Sequence, residues 1–354
     1  MKIAVMTFFN YNNFGASLQC YGLYKTLKDM GHEVEYLDYT CPYIGNPFKP
    51  IHLKNKGLFG YIYSTMGYIC YLPRKKYFDE FRKLIPHTKP LNESNISEYK
   101  DTYDKYVTGS DQVWSTKLTN YDKTYFLDFV TNNKKKFSYA ASFGGNTVDD
   151  LQYKWYEKLL KEFQKISVRE EYGKKLVERL AQRDAKVVVD PTLLLSEDDW
   201  TEVCAERIVK GNYILVYQLG FSKQLIQMVK KVARLTGMKV VYIPFPLGGI
   251  VKSKLSIGIG PAEWLSLFRY AKYVITDSYH GIIFSILFRK KFLGVVDGQH
   301  KNQRAISLLN KIGLEDRIAG ENEKKILEKI NYEQVLLILK QEIADSKQWL
   351  RENI

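Results

Sequence analysis

Residues 2–39, KIAVMTFFNYNNFGASLQCYGLYKTLKDMGHEVEYLDY, contain the pattern from which the fold class follows. Residues 2–9 and 33–39 are rich in β-branched and aromatic residues, which is typical of buried strands. Residues 16–30 place apolar side chains at helical spacing, and Gly31 then ends the helix. A strand, a polar loop, a helix and a second strand in this length form a βαβ unit, which predicts parallel pairing of the two strands.

The same alternation continues in two series, separated by a polar, acidic stretch after Leu195. The first series predicts strands at 103–108, 136–141, 166–170 and 187–189, with helices at 151–163 and 172–180. The second predicts strands at 213–219, 239–244, 273–276 and 292–296, with helices at 223–236, 261–270, 282–288, 304–312 and 332–350. The pattern favours an α/β protein with parallel sheets.

The two series predict two domains, because 354 residues exceed one average domain. We expect an N-terminal Rossmann-like domain at 1–200, with an irregular insertion at about 42–90. A C-terminal Rossmann-like domain at 201–354 would end in a long helix. The insertion could bind to a membrane interface through its aromatic residues at 58–72 and its basic residues at 74–76. Packing of this segment on its own domain is favoured.

Composition indicates an ordinary globular chain, with 45% hydrophobic and 26% charged residues. Four cysteines include no CxxC pair, no apolar run reaches membrane-spanning length, and the N-terminus lacks the features of a signal peptide. A cytoplasmic location with free thiols is therefore expected.

The formal net charge of +14 favours polyanionic partners. The lysines are dispersed, and no RNA-recognition, zinc-finger or basic-zipper signature accompanies the short runs at 74–76, 134–136 and 289–291. We therefore predict no nucleic-acid partner, and attribute the charge to solvated faces and an anion-attracting cleft between the domains.

Polar loops follow the predicted strands at 10–15, 109–114, 142–145, 169–170 and 277–281. Ligands of parallel sheets bind beyond the carboxyl ends of the strands, so these loops predict the site. Asn13 and Gly15 open a helix whose N-terminus suits an anion or a sugar hydroxyl, although a plain helix cap is equally consistent. The loop is neither GxGxxG nor a P-loop, which disfavours dinucleotide and Walker-type nucleotide binding.

The segment DSYHG at 277–281 carries the sharpest signal, because it joins the strand YVIT to the helix IIFSILF. His280 would lie beside a helix N-terminus, where an anion binds and an imidazole hydrogen-bonds or protonates a substrate. Ser278, Tyr279 and Gly281 would line the same turn. A structural histidine that caps the helix is the alternative, and the functional interpretation is favoured.

Other candidate side chains fit the same chemistry. Arg169 and Arg304 could each bind a carboxylate or phosphate through two hydrogen bonds, although surface ion pairs are the commoner role of arginine. Ser110, Asp111 and Gln112 offer a hydroxyl, a carboxylate and an amide to a sugar, with Asp111 as a candidate base. Trp114 could stack on a sugar or pack in the core. No glycosidase-like carboxylate pair and no metal motif is present in the sequence.

An ordered set of motifs resembles the polysaccharide pyruvyl transferase family. The set comprises NFG at 13–15, GSDQVW at 109–114, SYAASFG at 138–144, SVRE at 167–170, DPTLLL at 190–195, TDSYHGIIFSILFRKKF at 276–292 and RAISLLNKIGLEDR at 304–317. The resemblance implies a GT-B-like pair of Rossmann-type domains facing a cleft. It implies phosphoenolpyruvate as donor, on the side of domain 201–354, and a sugar as acceptor, on the side of domain 1–200. The product would be a pyruvate ketal, with no cofactor.

In the family pattern, Arg169 and His280 match donor-site positions, and the match is extended here to Arg304, Asp111 and Asn13. The acceptor would be a surface polysaccharide or its lipid-linked precursor, and weak docking on the anionic inner face of the cell membrane is a further hypothesis. Two alternatives stay open: a nucleotide-sugar glycosyltransferase and a non-catalytic glycan-binding protein on the same scaffold.

Overall fold

The computed structural model describes residues 1–44, 73–144, 148, 150–219, 222–243, 258–295, 303–320 and 322–354. The predicted aromatic stretch at 58–72 lies outside the described residues. The chain divides into two compact units. Among the described residues, the first holds 1–44, 82–195 and 340–354, and the second holds 73–81 and the described part of 196–339.

The helices and strands follow one another in nearly regular alternation. They are β1 Lys2–Met6, α1 Phe14–Asp29, β2 Glu33–Tyr36, α2 residues 73–82, β3 Lys105–Gly109, α3 Thr116–Thr119, β4 Lys136–Ala141, α4 Asp150–Lys161, β5 Lys165–Val168, α5 Glu171–Ala181, β6 Lys186–Val187, α6 Glu197–Glu202, β7 Tyr213–Tyr217, α7 Lys223–Thr236, β8 Lys239–Ile243, α8 Pro261–Tyr270, β9 Tyr273–Thr276, α9 Tyr279–Leu287, β10 Lys291–Gly294, α10 Gln303–Lys311 and α11 Tyr332–Asn353.

The first unit is built on a parallel sheet. Its described strands have the order β2-β1-β3-β4-β5-β6, and every pair of neighbours is parallel. All residues of β4 are buried, as expected for a central strand with helices on both faces. Because the strands are parallel, their carboxyl ends share one edge, where the polar loops predicted for the site begin.

Helix α1 packs closely on this unit, because Gly22 lets it approach the turn at Pro191. A Cβ on Gly22 would lie 2.5 Å from the Pro191 carbonyl oxygen. Thirteen of the sixteen residues of α1 are buried. The close fit fixes the start of α1 at the carboxyl edge of the sheet.

The second unit repeats the arrangement with a smaller parallel sheet, whose described strands have the order β10-β9-β7-β8. Ser222 caps the start of α7, and Gly237, at a φ of 63°, ends it. The turn after β9 lies at the carboxyl end of a strand with a neighbour on each side. That position places residues 277–281 where parallel sheets bind ligands.

The compact units differ from the predicted domain limits at three places, the first of which is the boundary itself, since residues 196–200 belong to the second unit. Residues 340–354 of α11 belong to the first unit, where the Ser346 hydroxyl accepts a hydrogen bond from Val189 N and the Lys105 ammonium donates to Asn353 O. Of the predicted insertion, 73–81 belongs to the second unit and 82–90 to the first. These tertiary contacts are long-range and leave no periodic signal in the sequence.

Trp114 belongs to the core of the first unit. It is fully buried and stacks on Phe126 with ring centroids 5.3 Å apart. Of the two roles expected from the sequence, core packing is therefore the one that the contacts support. Among the described residues, no helix is both long and apolar enough to cross a membrane.

Candidate functional site

The candidate residues fall into two groups, one in each unit. Those of the first unit are Asn13, Gly15, Ser110, Asp111, Gln112 and Arg169, and those of the second are Ser278, Tyr279, His280, Gly281 and Arg304. Every one lies at or just beyond the carboxyl end of a parallel strand, or in the first turn of a helix.

Asn13 acts as the cap of α1. Its Oδ1 accepts a hydrogen bond of 3.1 Å from Ala16 N, and its backbone is extended, as an N-cap requires. Gly15 is buried in the first turn. The capping role left open by the sequence is therefore present, and binding by the rest of the exposed Asn13 side chain stays a prediction.

The loop after β3 is held in a special conformation. Asp111 has a φ of 69°, in the left-handed region that non-glycine residues seldom adopt. Its Oδ1 accepts a hydrogen bond of 2.8 Å from Gln112 N, which stabilises the turn. Ser110 is buried, and its carbonyl accepts a bond of 3.0 Å from the Thr7 hydroxyl. Asp111 is thus fixed with a partly exposed carboxylate.

Arg169 lies buried among three carboxylates. Its Nη1 is 2.8 Å from Asp190 Oδ2, its Nε is 3.5 Å from Glu170 Oε1, and its Nη2 is 3.9 Å from Asp111 Oδ1. The side chain is 1% exposed. Three acidic neighbours around one guanidinium make the local charge negative, so this group by itself suits hydroxyl donors better than an anion.

Sequence reasoning did not assign a role to Asp190, although its DPTLLL motif was noted. Asp190 is fully buried, and its Oδ1 accepts bonds from Thr192 N at 3.0 Å and from the Thr192 hydroxyl at 2.7 Å. An aspartate followed by proline and threonine is the signal for such a turn, but only the structure shows that its second oxygen holds Arg169.

In the second unit, α9 begins earlier than predicted. The expected loop was 277–281, but Ser278 is the N-cap and its Oγ accepts a bond of 3.3 Å from Gly281 N, so the helix starts at Tyr279. A Cβ on Gly281 would collide with the Thr276 side chain, which donates to Tyr217 O at 2.7 Å. Glycine therefore lets the first turn of α9 lie against the end of β9.

His280 and Arg304 place an imidazole and a guanidinium at this helix start. The His280 and Tyr279 rings are 5.4 Å apart, and the Arg304 guanidinium lies 5.4 Å from the Tyr279 ring centroid. Such a distance is typical of a cation–π contact. His280 is half-buried, with Nε2 shielded from solvent. The positive end of the α9 dipole, the imidazole and the guanidinium together favour an anion.

Asp277 has a structural role beside them. Its Oδ1 accepts a hydrogen bond of 2.7 Å from Leu219 N, which ties the turn after β9 to the end of the neighbouring β7. Among the described residues, no group of three or more histidine, cysteine, aspartate or glutamate side chains is arranged to hold a metal ion.

Two units of parallel α/β structure, each with polar groups at the carboxyl ends of its strands, define a GT-B-like protein of the Rossmann class. The chain belongs to the polysaccharide pyruvyl transferase family, whose family model matches residues 13–298. It is thus a transferase by family, and the predicted family and fold class are confirmed.

Solved structures agree in fold. A UDP-GlcNAc 2-epimerase from Neisseria meningitidis, solved bound to UDP-GlcNAc, has a TM-score of 0.51 at 11% identity, covering 100% of this chain and 99% of its own. A UDP-GlcNAc 2-epimerase from Methanocaldococcus jannaschii has a TM-score of 0.50 at 12% identity, with coverages of 96% and 93%. A search of curated proteins found no match. At these identities the likeness concerns the fold alone.

Proposed function

We propose that this protein transfers the pyruvate unit of phosphoenolpyruvate to a sugar residue, forming a ketal and releasing phosphate. The acceptor is a residue of a surface polysaccharide or of its lipid-linked precursor. We place the reaction in the cytoplasm. It uses no cofactor, with phosphoenolpyruvate as co-substrate. Family membership supports the reaction type.

The observation that carries the proposal is the cationic start of α9. Phosphoenolpyruvate bears a carboxylate and a phosphate close together, so its site needs at least two positive groups or helix N-termini. Arg304 beside Tyr279, His280 in the first turn, and the α9 dipole supply such a set within one unit. We assign the donor to this site, with Ser278, Tyr279 and Gly281 around it.

The first unit supports the acceptor side. Asp111 and Glu170 keep part of their carboxylates exposed, at 17% and 14% of the side chain. Carboxylates accept hydrogen bonds from hydroxyl groups, and the neighbouring Ser110 and Gln112 extend the polar edge. We propose that this edge binds the sugar. The assignment of Arg169 to the donor site stays a prediction from the family pattern.

The chemistry needs one acid and one base. A proton is delivered to the vinyl carbon of phosphoenolpyruvate, which makes C2 electrophilic. One sugar hydroxyl attacks C2, the C2–phosphate bond breaks, and the second hydroxyl closes the ketal ring. The two sugar hydroxyls release two protons. One replaces the proton that was delivered to the vinyl carbon, and the other leaves with phosphate. We assign the acid to His280 and the base to Asp111.

The nucleotide-sugar alternative has less support. That chemistry commonly relies on an acidic side chain for the ribose in the C-terminal domain, and Asp277 is the candidate there. One of its oxygens is already bonded to Leu219 N. Of the other side chains assigned to the site, Ser278 and Tyr279 are neutral and Arg304 is cationic.

Thermal unfolding with and without phosphoenolpyruvate tests the donor. A ligand at a hundred times its Kd adds ~2.7 kcal/mol to the stability of the form that binds it. We expect phosphoenolpyruvate to raise the Tm of the wild type and UDP to leave it unchanged. His280→Gln and Arg304→Gln should reduce the shift.

Matched controls are His32→Gln, a half-buried histidine of the first unit, and Arg234→Gln on α7 of the second. In both variants phosphoenolpyruvate should raise the Tm as much as in the wild type. A rise in Tm with UDP and none with phosphoenolpyruvate would favour the glycosyltransferase and contradict the proposal. If phosphoenolpyruvate raised the Tm of His280→Gln and of Arg304→Gln as much as that of the wild type, the donor would not bind at the start of α9.

A further inference from the structure

A second group of polar side chains lies at the edge of the first unit, where β1 and β2 end. It contains Asn10, Asn12, Asp38 and Arg82, and is named the Asp38 cluster. The Arg82 Nη2 donates to Asn12 Oδ1 at 2.5 Å, and the Asn10 amide donates to the Thr40 hydroxyl at 2.7 Å. Asn10 and Asn12 belong to the polar loop 10–15 that predicts the site, whereas Asp38 and Arg82 lie outside the predicted loops.

The backbone of Asp38 is held from both sides. Its N–H donates to the Thr88 hydroxyl at 3.1 Å, and its carbonyl accepts from Leu91 N at 2.8 Å. These bonds place residues 86–91 alongside the chain that follows β2. The side chain of Asp38 is therefore presented in a fixed position at the sheet edge.

The carboxylate of Asp38 is under-satisfied. It is half-buried, and its Oδ1 has no hydrogen-bond partner among the residues that the structure describes. Burial raises its pKa, while the positive charges of Arg82 and His87 and a hydrogen bond from Asn10 lower it. A buried acceptor without a donor is costly, so a ligand that brings hydroxyl donors is favoured here.

The Asp38 cluster adjoins the predicted acceptor residues. In the strand order β2-β1-β3, the chain after β2 and the loop after β3 lie on either side of the end of β1. The hydroxyl of Thr7, which follows β1, donates to the Ser110 carbonyl at 3.0 Å.

We infer that the Asp38 cluster is a binding subsite for a pair of pyranose hydroxyl groups. The Asp38 carboxylate accepts from the two hydroxyls, and the Arg82 guanidinium and the two asparagine amides donate to their oxygens. The negative charge of Asp38 and the positive charge of Arg82 balance, so the cluster suits a neutral sugar better than an anion. The inference rests on the proposed function, and assigns one further set of residues to its acceptor.

The test is sugar binding without phosphoenolpyruvate, measured by saturation-transfer NMR. The probes are methyl β-D-galactopyranoside, methyl β-D-glucopyranoside and methyl α-D-mannopyranoside. We expect the wild type to bind at least one of them. Asp38→Asn should raise the Kd about tenfold or more, because a hydrogen bond to a charged group is lost. Asn10→Ala, which touches the same subsite, should weaken binding as well.

Asp29→Asn is the control, since Asp29 lies at the opposite end of α1 and pairs only with Lys25 among described residues. It should bind like the wild type. No binding of any probe by the wild type, or equal binding by Asp38→Asn and Asn10→Ala, overturns the inference. If sugar binds but phosphoenolpyruvate causes no thermal shift, the subsite stands and the donor proposal fails.

Discussion

Arg169 and Asp190 bury opposite charges against each other, with side-chain exposures of 1% and 0%. Removing one partner of such a buried pair costs ~3–5 kcal/mol. The more distant Glu170 and Asp111 offset part of that cost for Arg169, so the lower end of the range applies. Asp190→Asn also weakens the acceptor for Thr192 and Ser110. We expect a fall of about 3 kcal/mol in the free energy of unfolding, measured by urea denaturation.

Asp29→Asn provides the comparison, because it breaks an exposed pair with Lys25 and should cost ~0.5 kcal/mol or less. A double variant, Arg169→Met with Asp190→Leu, removes both charges and should be more stable than Asp190→Asn alone. If Asp190→Asn unfolded at the urea concentration of Asp29→Asn, the pair would not stabilise this unit.

Asp38 gives stability a dependence on pH. Its pKa is raised in the fold, chiefly by burial, so the folded protein favours the protonated form. The contribution of Asp38 to the free energy of unfolding is therefore present at low pH, and it is lost as the pH rises through the pKa of the folded state. Asp38→Asn cannot ionise, so its stability relative to the wild type should increase between about pH 4 and pH 7.

Urea denaturation at several pH values, with Asp29→Asn in parallel, measures this difference. A difference between Asp38→Asn and the wild type that stays constant over the range would show that the carboxyl titrates alike in the folded and unfolded states.

The positions of candidate residues were predictable where a polar loop follows a strand directly. Asn13, Asp111, Arg169 and His280 were chosen because each stands at a predicted strand end or helix start, and their roles in binding and catalysis stay predictions. Asp38 was not chosen, because it lies beyond β2 and the charges that act on it, those of Arg82 and His87, come from far along the chain. Long-range pairing of this kind has no local pattern.

At the scale of elements, the two serine caps make a matched pair. Ser278 caps α9 through Gly281 N at 3.3 Å, and Ser222 caps α7 through Leu225 N at 3.2 Å. Replacing either by alanine should cost ~1 kcal/mol. Only Ser278→Ala should also reduce the rise in Tm caused by phosphoenolpyruvate, because only α9 starts in the proposed donor site.

Thermal unfolding of both variants, with and without phosphoenolpyruvate, separates the two effects. If Ser222→Ala reduced the ligand shift as much as Ser278→Ala does, the change would reflect general stability and not the site.

Elements were predictable where the period is strong. The predicted bounds of α7, α8, β4 and β9 equal those of the structure. The start of α9 was placed three residues late, because a serine cap, a tyrosine and a histidine look like loop residues until Gly281 is seen to pack on Thr276. Side-chain capping, and not hydrophobic spacing, decided that boundary.

At the scale of the whole molecule, the short basic runs do not form continuous cationic surfaces. Arg74 is 5% exposed and Lys136 is 1% exposed, with the Lys136 ammonium 2.7 Å from Glu162. Lys290 is partly buried, which lowers its pKa. The net charge of +14 therefore acts through many separate side chains.

Spread charge of this kind predicts weak, salt-sensitive attraction to anionic lipid. We expect the protein to sediment with vesicles of phosphatidylcholine and phosphatidylserine at low salt, and not with phosphatidylcholine alone. Binding should be lost at high salt, because the Debye length falls from ~30 Å at 0.01 M to ~3 Å at 1 M. Lys134→Gln with Lys135→Gln should weaken binding only slightly, since no single run dominates.

Three outcomes would contradict this expectation. If the double substitution Lys134→Gln with Lys135→Gln abolished binding, the attraction would come from one localised basic patch. Binding that persisted at high salt would indicate insertion of apolar side chains into the lipid, and no binding at low salt would end the membrane hypothesis.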